Sequence, residues 1–220
     1  WTYETELDSE SAWRALERAF REVGESFPGS SLASFGKSAG AWMRNALRSV
    51  NRETDASERH RLRILALLYY RVFRLGMLAD EPSRVVQASA RGLDVAQKLG
   101  PGPELARASA AYGLVLSGLS RGKGGEQYLK QGEEIATATK NPVTVAHIQQ
   151  LNAVIAALLG DVERSLEIGS RCLLEHGHWR EFAEHCGLAY NQELLESVRG
   201  RGQEELFWLD HILARLELTP

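Results

Sequence analysis

Apolar residues along this 220-residue chain recur at intervals of three and four rather than two, the spacing that gathers them on one face of a helix. In "RILALLYYRVFRL" (63–75) Ile64, Leu67, Leu68, Val72 and Leu75 are expected on one side. In "LNAVIAALL" (151–159) the corresponding set is Leu151, Val154, Ile155 and Leu158. No stretch alternates as a half-buried strand does between hairpin turns. The pattern predicts ten helices, near 9–24, 30–50, 56–75, 82–99, 103–120, 124–139, 142–159, 161–176, 178–199 and 203–217. Short connections make successive helices antiparallel neighbours. The fold class read from the pattern is all-α.

Prolines and glycines supply the punctuation. Pro28, Pro82, Pro101, Pro103 and Pro142 each fall between helical runs, where a missing N–H does no harm. "LADEPSRVV" reads with Asp80 as an N-cap, and "TKNPVTVA" with Asn141 as another, each followed by proline inside the new helix. Gly76, Gly100, Gly160, Gly177 and Gly200 stand where helices are expected to stop.

The helices repeat. "GLDVAQKLGPGPELA" (92–106) aligns with "GEEIATATKNPVTVA" forty residues on, matching Gly92 to Gly132, Ala96 to Ala136 and Ala106 to Ala146. Thirty-seven residues further, "GSRCLLEHGHWREFA" aligns Gly169 and Ala183 with the same places. A period of 37–40 with two helices per unit predicts stacked helical hairpins, because one pair cannot bury its own apolar face. The expected architecture is a right-handed α-α superhelix of about five antiparallel pairs. Residues 1–55 form looser N-terminal helices, 56–200 the repeat core and 201–220 a terminal helix. Gly92, Gly132 and Gly169 then lie mid-helix, a cost of about 1 kcal/mol each against alanine that close approach of a neighbouring helix would offset. Gly113 matches Ala153 on the facing helix. Tyr190 breaks the pattern, so the last pair is expected to pack differently.

"SGLSRGKGGEQYL" (117–129) resembles a phosphate-binding loop, but Gly118 to Gly124 is one residue short of G-x-x-x-x-G-K-[ST]. Glycine replaces the magnesium-binding hydroxyl, and a helix rather than a strand precedes it. In the repeat register the stretch is a hairpin turn, with three residues more than its counterpart "GDVERS".

Composition narrows the classes. With 26 basic and 29 acidic residues the net charge is −3, too balanced to imply nucleic acid or an anionic membrane as partner. The apolar run 64–70 is far shorter than a membrane span requires, and "WTYETELDSE" carries no signal-peptide pattern. The start at Trp1 reads as a piece of a longer protein, and two cysteines without a framework point to a cytoplasmic setting. His176, His178 and His185, with Glu181 one turn before His185, suggest metal ligation. Only two of them share a helix face, and histidines flanking Gly177 suit a helix end. Cys172 and Cys186 read as small buried apolar residues. No catalytic, cofactor-binding or metal set is expected, and "RETDASERHRLR" reads as a solvated face. Tyr69, Tyr70 and Phe73, and Phe207 and Trp208, read as core.

Polar residues inside otherwise apolar first helices are the candidate partner-binding set: Arg63, Arg74, Tyr112, Gln149 and Asn152. Tyr112 and Asn152 share a repeat position, as do Ser109 and Gln149. Two readings stand together: these residues line a concave face that holds a partner, or they are merely solvated.

"GLDVAQKLGPGPELARASAAYG" resembles the tetratricopeptide-like region of large bacterial signalling proteins that carry a STAND-like ATPase beside an adenylate/guanylate cyclase or Ser/Thr kinase domain. "HWREFAE" is similar to the Trp-rich start of that region's next helix, and the likeness spans roughly 60–190. The resemblance implies a non-catalytic regulatory or scaffolding module acting within a larger protein. Its expected partner is a peptide, another domain of the same chain or a second copy. None of the family's catalytic motifs occurs here, and the period exceeds the tetratricopeptide 34, so no groove residue is carried over. The alternative expectation is a small-molecule sensor. "SFGKSAGAWMRNAL", with Gly36 and Gly40, is expected to cap the stack or to form a homodimer.

Overall fold

The computed structural model describes residues 8–29, 55–119, 124–179 and 182–217, and among these every regular element is helical. In chain order the helices are α1 (Ser9–Glu22), α2 (Ala56–Leu78), α3 (Pro82–Leu99), α4 (Pro103–Leu119), α5 (Glu126–Thr139), α6 (Pro142–Leu158), α7 (Val162–His176), α8 (Phe182–Val198) and α9 (Gly202–Glu217). A 3-10 turn, Gly177–Trp179, precedes α8, which therefore begins later than the expected 178. The predicted helix at 30–50, with Gly36 and Gly40, lies outside the described residues, as do 120–123 of the glycine-rich turn and Glu181.

The ends follow local chemistry. Asp8, Asp55, Asn141 and Asp161 each cap a helix by accepting a backbone N–H three residues on, at 3.0, 2.8, 3.1 and 3.3 Å, using donors the first turn leaves unpaired. Gly100 and Gly160 end α3 and α6 in the left-handed region. Two expectations fail here. Gly76 does not stop a helix, since α2 runs on to Leu78. Val85 packs against its bare backbone, and a Cβ at Gly76 would stand 2.8 Å from Val85 Cγ2. Asp80 is no N-cap either. It has φ of +53° and closes the end of α2, while Glu81 leads into α3 without a side-chain bond. Gly177 does stand at the end of α7, as its C-cap, with φ −55°.

The helices pair as four hairpins: α2/α3, α4/α5, α6/α7 and α8/α9. Each hairpin's second helix packs on the next hairpin's first helix, and first helices also pack together from α2 to α4 and α4 to α6. One apolar core runs through the first three hairpins, from Phe20 and Leu65 to Ile148 and Ile155. A smaller one joins the third and fourth around Cys172, Leu188 and Trp208. The buried face of α2 carries Leu62, Leu65, Ala66, Tyr69, Val72 and Phe73, whereas Leu67 is exposed. The set expected to be apolar together is thus rotated by part of a turn. Leu158 is likewise exposed, at the end of α6. Before the first hairpin, α1 and residues 24–29 cover its outer side. Phe20 meets the Tyr69 ring edge-on at 5.0 Å, and Gln87 Nε2 donates to the Gly29 carbonyl at 2.7 Å.

The hairpin crossings give the repeat its register. In the second hairpin a Cβ on Gly113 would lie 3.0 Å from the Gly125 carbonyl oxygen, and one on Gly132 would lie 2.9 Å from that of Ala106. Forty residues on, Ser165 Oγ donates to the Ala153 carbonyl at 2.8 Å and Cys172 Sγ to that of Ala146 at 3.2 Å. The structural partner of Gly132 is therefore Cys172, not Gly169. Gly169 instead faces the side chain of Gln192 in the next hairpin. The same register removes the supposed three-residue insertion, because α5 simply begins about one turn later than α7.

Candidate functional site

The first helices meet on one side of the stack, and Tyr70 of α2 stands at the meeting point. Its hydroxyl donates to Glu184 Oε1 of α8 at 3.2 Å and lies 3.0 Å from Nδ1 of His147 of α6. With its proton directed to Glu184, the Tyr70 oxygen accepts from the imidazole N–H. The two rings meet edge-on at 4.8 Å. Arg74, one turn further along α2, pairs with the same Glu184 oxygen at 3.1 Å, and both side chains are nearly buried. Burial, with the Glu184 charge added, holds the Tyr70 phenol far above its ordinary range, and Arg74 and Arg107 offset only part of this. Tyr70 is therefore a fixed neutral donor that ties the first hairpin to the third and fourth.

Two cavities adjoin this tie and share Tyr70 and Phe73 as a wall. The upper one, about 270 Å³, lies between the first two hairpins. Tyr69, Tyr70, Phe73 and Leu67 line it, together with His60, Arg63, Glu104 and Arg107. The lower one, about 290 Å³, takes residues from all four first helices: Arg74 and Met77 of α2, Leu114 of α4, His147 and Val154 of α6, and Glu184 of α8. The guanidinium carbons of Arg107 and Arg74 lie 5.8 and 5.9 Å from the centre of the Tyr70 ring.

The five candidates from sequence separate accordingly. Arg63 lines the upper cavity and Arg74 the lower. Tyr112 is buried, its ring edge-on to Tyr128 at 4.8 Å, and burial pushes its phenol up to about 12. Gln149 and Asn152 are half-buried on α6 and line neither of these cavities. Of the residues read as core, Tyr69 and Phe73 are buried, Trp208 is buried while Phe207 is half exposed, and Tyr70 carries the polar tie. Cys172 is fully buried and Cys186 half-buried.

Sequence reading missed Tyr70, Arg107, His147 and Glu184 as a group. A signal was present: Arg107 and His147 stand forty residues apart at one repeat position, polar residues in apolar first helices. Among the described residues no three His, Cys, Asp or Glu side chains converge as metal ligands would. His185 stacks on His211 at 5.1 Å and lies 3.3 Å by Nδ1 from the Gly177 carbonyl. No described helix is long and apolar enough to cross a membrane. Compared with known proteins, the chain matches no family model, no curated protein and no solved structure.

Proposed function

We propose that this chain is a non-catalytic binding and regulatory module, a tetratricopeptide-like α-solenoid that holds a peptide or another protein domain against its first helices. The observation that carries the reading is the lower cavity, to which all four first helices contribute. In a stack of hairpins such a shared inner face is the surface a partner can engage at several repeats at once. The resemblance to bacterial signalling ATPases gives the module its context: a cytoplasmic region regulating an attached ATPase, cyclase or kinase domain. Its single carboxylate at the tie, Glu184, is engaged by Arg74 and Tyr70, which suits a structural role better than acid–base work.

The test is affinity capture from cells of the source organism with the native chain and two sets of variants. Substitutions in the lining of the lower cavity, Met77→Glu and Gln150→Arg, are expected to abolish capture of a specific protein. Lys130→Glu, on the outer helix α5, is expected to retain it. A partner indifferent to both inner substitutions contradicts the reading.

A second reading, a small-molecule sensor, is favoured by two cavities of about 270 and 290 Å³ on the inner side, each lined by apolar and polar side chains. Melting in the presence of a metabolite library separates the readings. A rise with one small compound supports the sensor, since only ligands that prefer the folded state raise the midpoint.

A further inference from the structure

The two cavities differ in how their arginines are neutralised. In the lower one Arg74 has Glu184 at 3.1 Å. In the upper one Arg63 and Arg107 reach the lining from different hairpins, and neither has a carboxylate within ion-pair distance among the described residues. Arg107 Nε donates to the Pro103 carbonyl at 3.3 Å, which anchors the side chain and leaves its remaining N–H groups for another acceptor. Glu104 also lines the cavity but pairs with neither arginine. Ser89 is satisfied internally through the Val86 carbonyl at 2.9 Å. Beneath these groups the wall is apolar and largely aromatic: Leu67, Tyr69, Tyr70 and Phe73.

We infer that the upper cavity binds an organic carboxylate with a compact apolar body, its carboxylate held by Arg63 and Arg107 and its body against Tyr69, Tyr70 and Phe73. Three arguments converge. Arg107, half-buried beside the apolar wall, gains most from a fixed anion, because charge-assisted bonds strengthen where water is excluded, and the exposed Arg63 adds a second donor at the mouth. The guanidinium fork suits a planar carboxylate better than a point charge. The volume, about 270 Å³ and under twice the roughly 150 Å³ that encloses benzene, accommodates a phenyl ring with a short chain. The ligand would bridge α2 and α4, the first helices of two hairpins, so occupancy would stiffen their junction. This rests on the reading of the inner side as the binding face, and it names the chemistry that face selects.

A carboxylate can arrive as a free acid or as the C-terminus of a peptide, and calorimetry on the full chain distinguishes them. The probes are 4-phenylbutyrate and octanoate, their neutral amides, and the peptide Ala-Ala-Ala-Phe with a free or amidated terminus. The acids are expected to bind at least about tenfold more tightly than the amides, the factor one charged hydrogen bond supplies. Arg63→Gln and Arg107→Gln should each remove most of that preference while leaving amide affinity unchanged. Arg63 is exposed, so its variant will fold. Binding of the free acids alone assigns a small-molecule site, and binding of the free-terminus peptide as well assigns a chain terminus; either supports the inference. Equal affinity for acids and amides overturns it, as does indifference to both arginine substitutions or absence of binding by every probe at millimolar concentration. Those failures leave the proposed protein-binding role intact, because that role is tested at Met77 and Gln150.

Discussion

The second and third hairpins make the same crossing with different chemistry. In α4/α5 the helices touch backbone to backbone, with Gly113 over Gly125 and Gly132 over Ala106. In α6/α7 the same positions hold Ala153, Ser165, Cys172 and Ala146, and side-chain bonds to backbone carbonyls fill the space. What repeats every forty residues is a distance between helix axes. Two routes satisfy it: remove the Cβ, or let a small side chain donate to the carbonyl it would otherwise crowd.

The strongest way to break the comparison is Gly125→Ala. A Cβ there would overlap the Gly113 carbonyl oxygen and Ser117 Oγ, and backbone cannot step aside cheaply. Overpacking of this kind costs about 3 kcal/mol, a fall in melting temperature of roughly 6–12 °C at this chain size. The third hairpin already tolerates Ser165 at the matching position, so the penalty is specific to the second.

Alkaline pH should separate the two hairpins next. Tyr112 in the second hairpin is replaced by Asn152 at the same position in the third. Burial, with Tyr128 nearby, raises the folded-state phenol from 10 to about 12. Between those values the unfolded chain loses a proton that the folded chain keeps, so stability falls as pH rises, by about 1–2 kcal/mol after allowance for screening. Hydrogen exchange should show α4/α5 loosening from pH 10 upward, with Tyr112→Phe removing that part of the loss.

Ser165→Ala is expected to cost about 1 kcal/mol, one net buried hydrogen bond, in chemical denaturation. The smallest effect carries the opposite sign. Gly187 lies within α8, exposed, with nothing within 4 Å of a Cβ. Gly187→Ala should therefore stabilise by up to about 1 kcal/mol, showing that helical glycines here are costly except where a crossing uses them.

Much of this was legible in the chain because helix ends are local events. Asn141 with Pro142, Gly100 and Gly160 announce themselves within a few residues. Leu67 and Leu158 are exposed, because a three-four spacing fixes a face but not which neighbour covers it. Gly76 differs from expectation because a glycine that admits Val85 and a glycine that ends a helix look alike in sequence. Tyr70, His147 and Glu184 were not legible as a site. His147 and Glu184 are separated by 77 and 114 residues from Tyr70, and only the meeting of the first helices on one side of the hairpins brings them together.

That meeting is measured most directly by a double-mutant cycle between the first and fourth hairpins, using Arg74→Met, Glu184→Gln and the pair in denaturant unfolding. A nearly buried ion pair at 3.1 Å should give a coupling above about 1 kcal/mol. Additive effects within about 0.5 kcal/mol would mean the two hairpins do not meet, and the shared inner face would not exist.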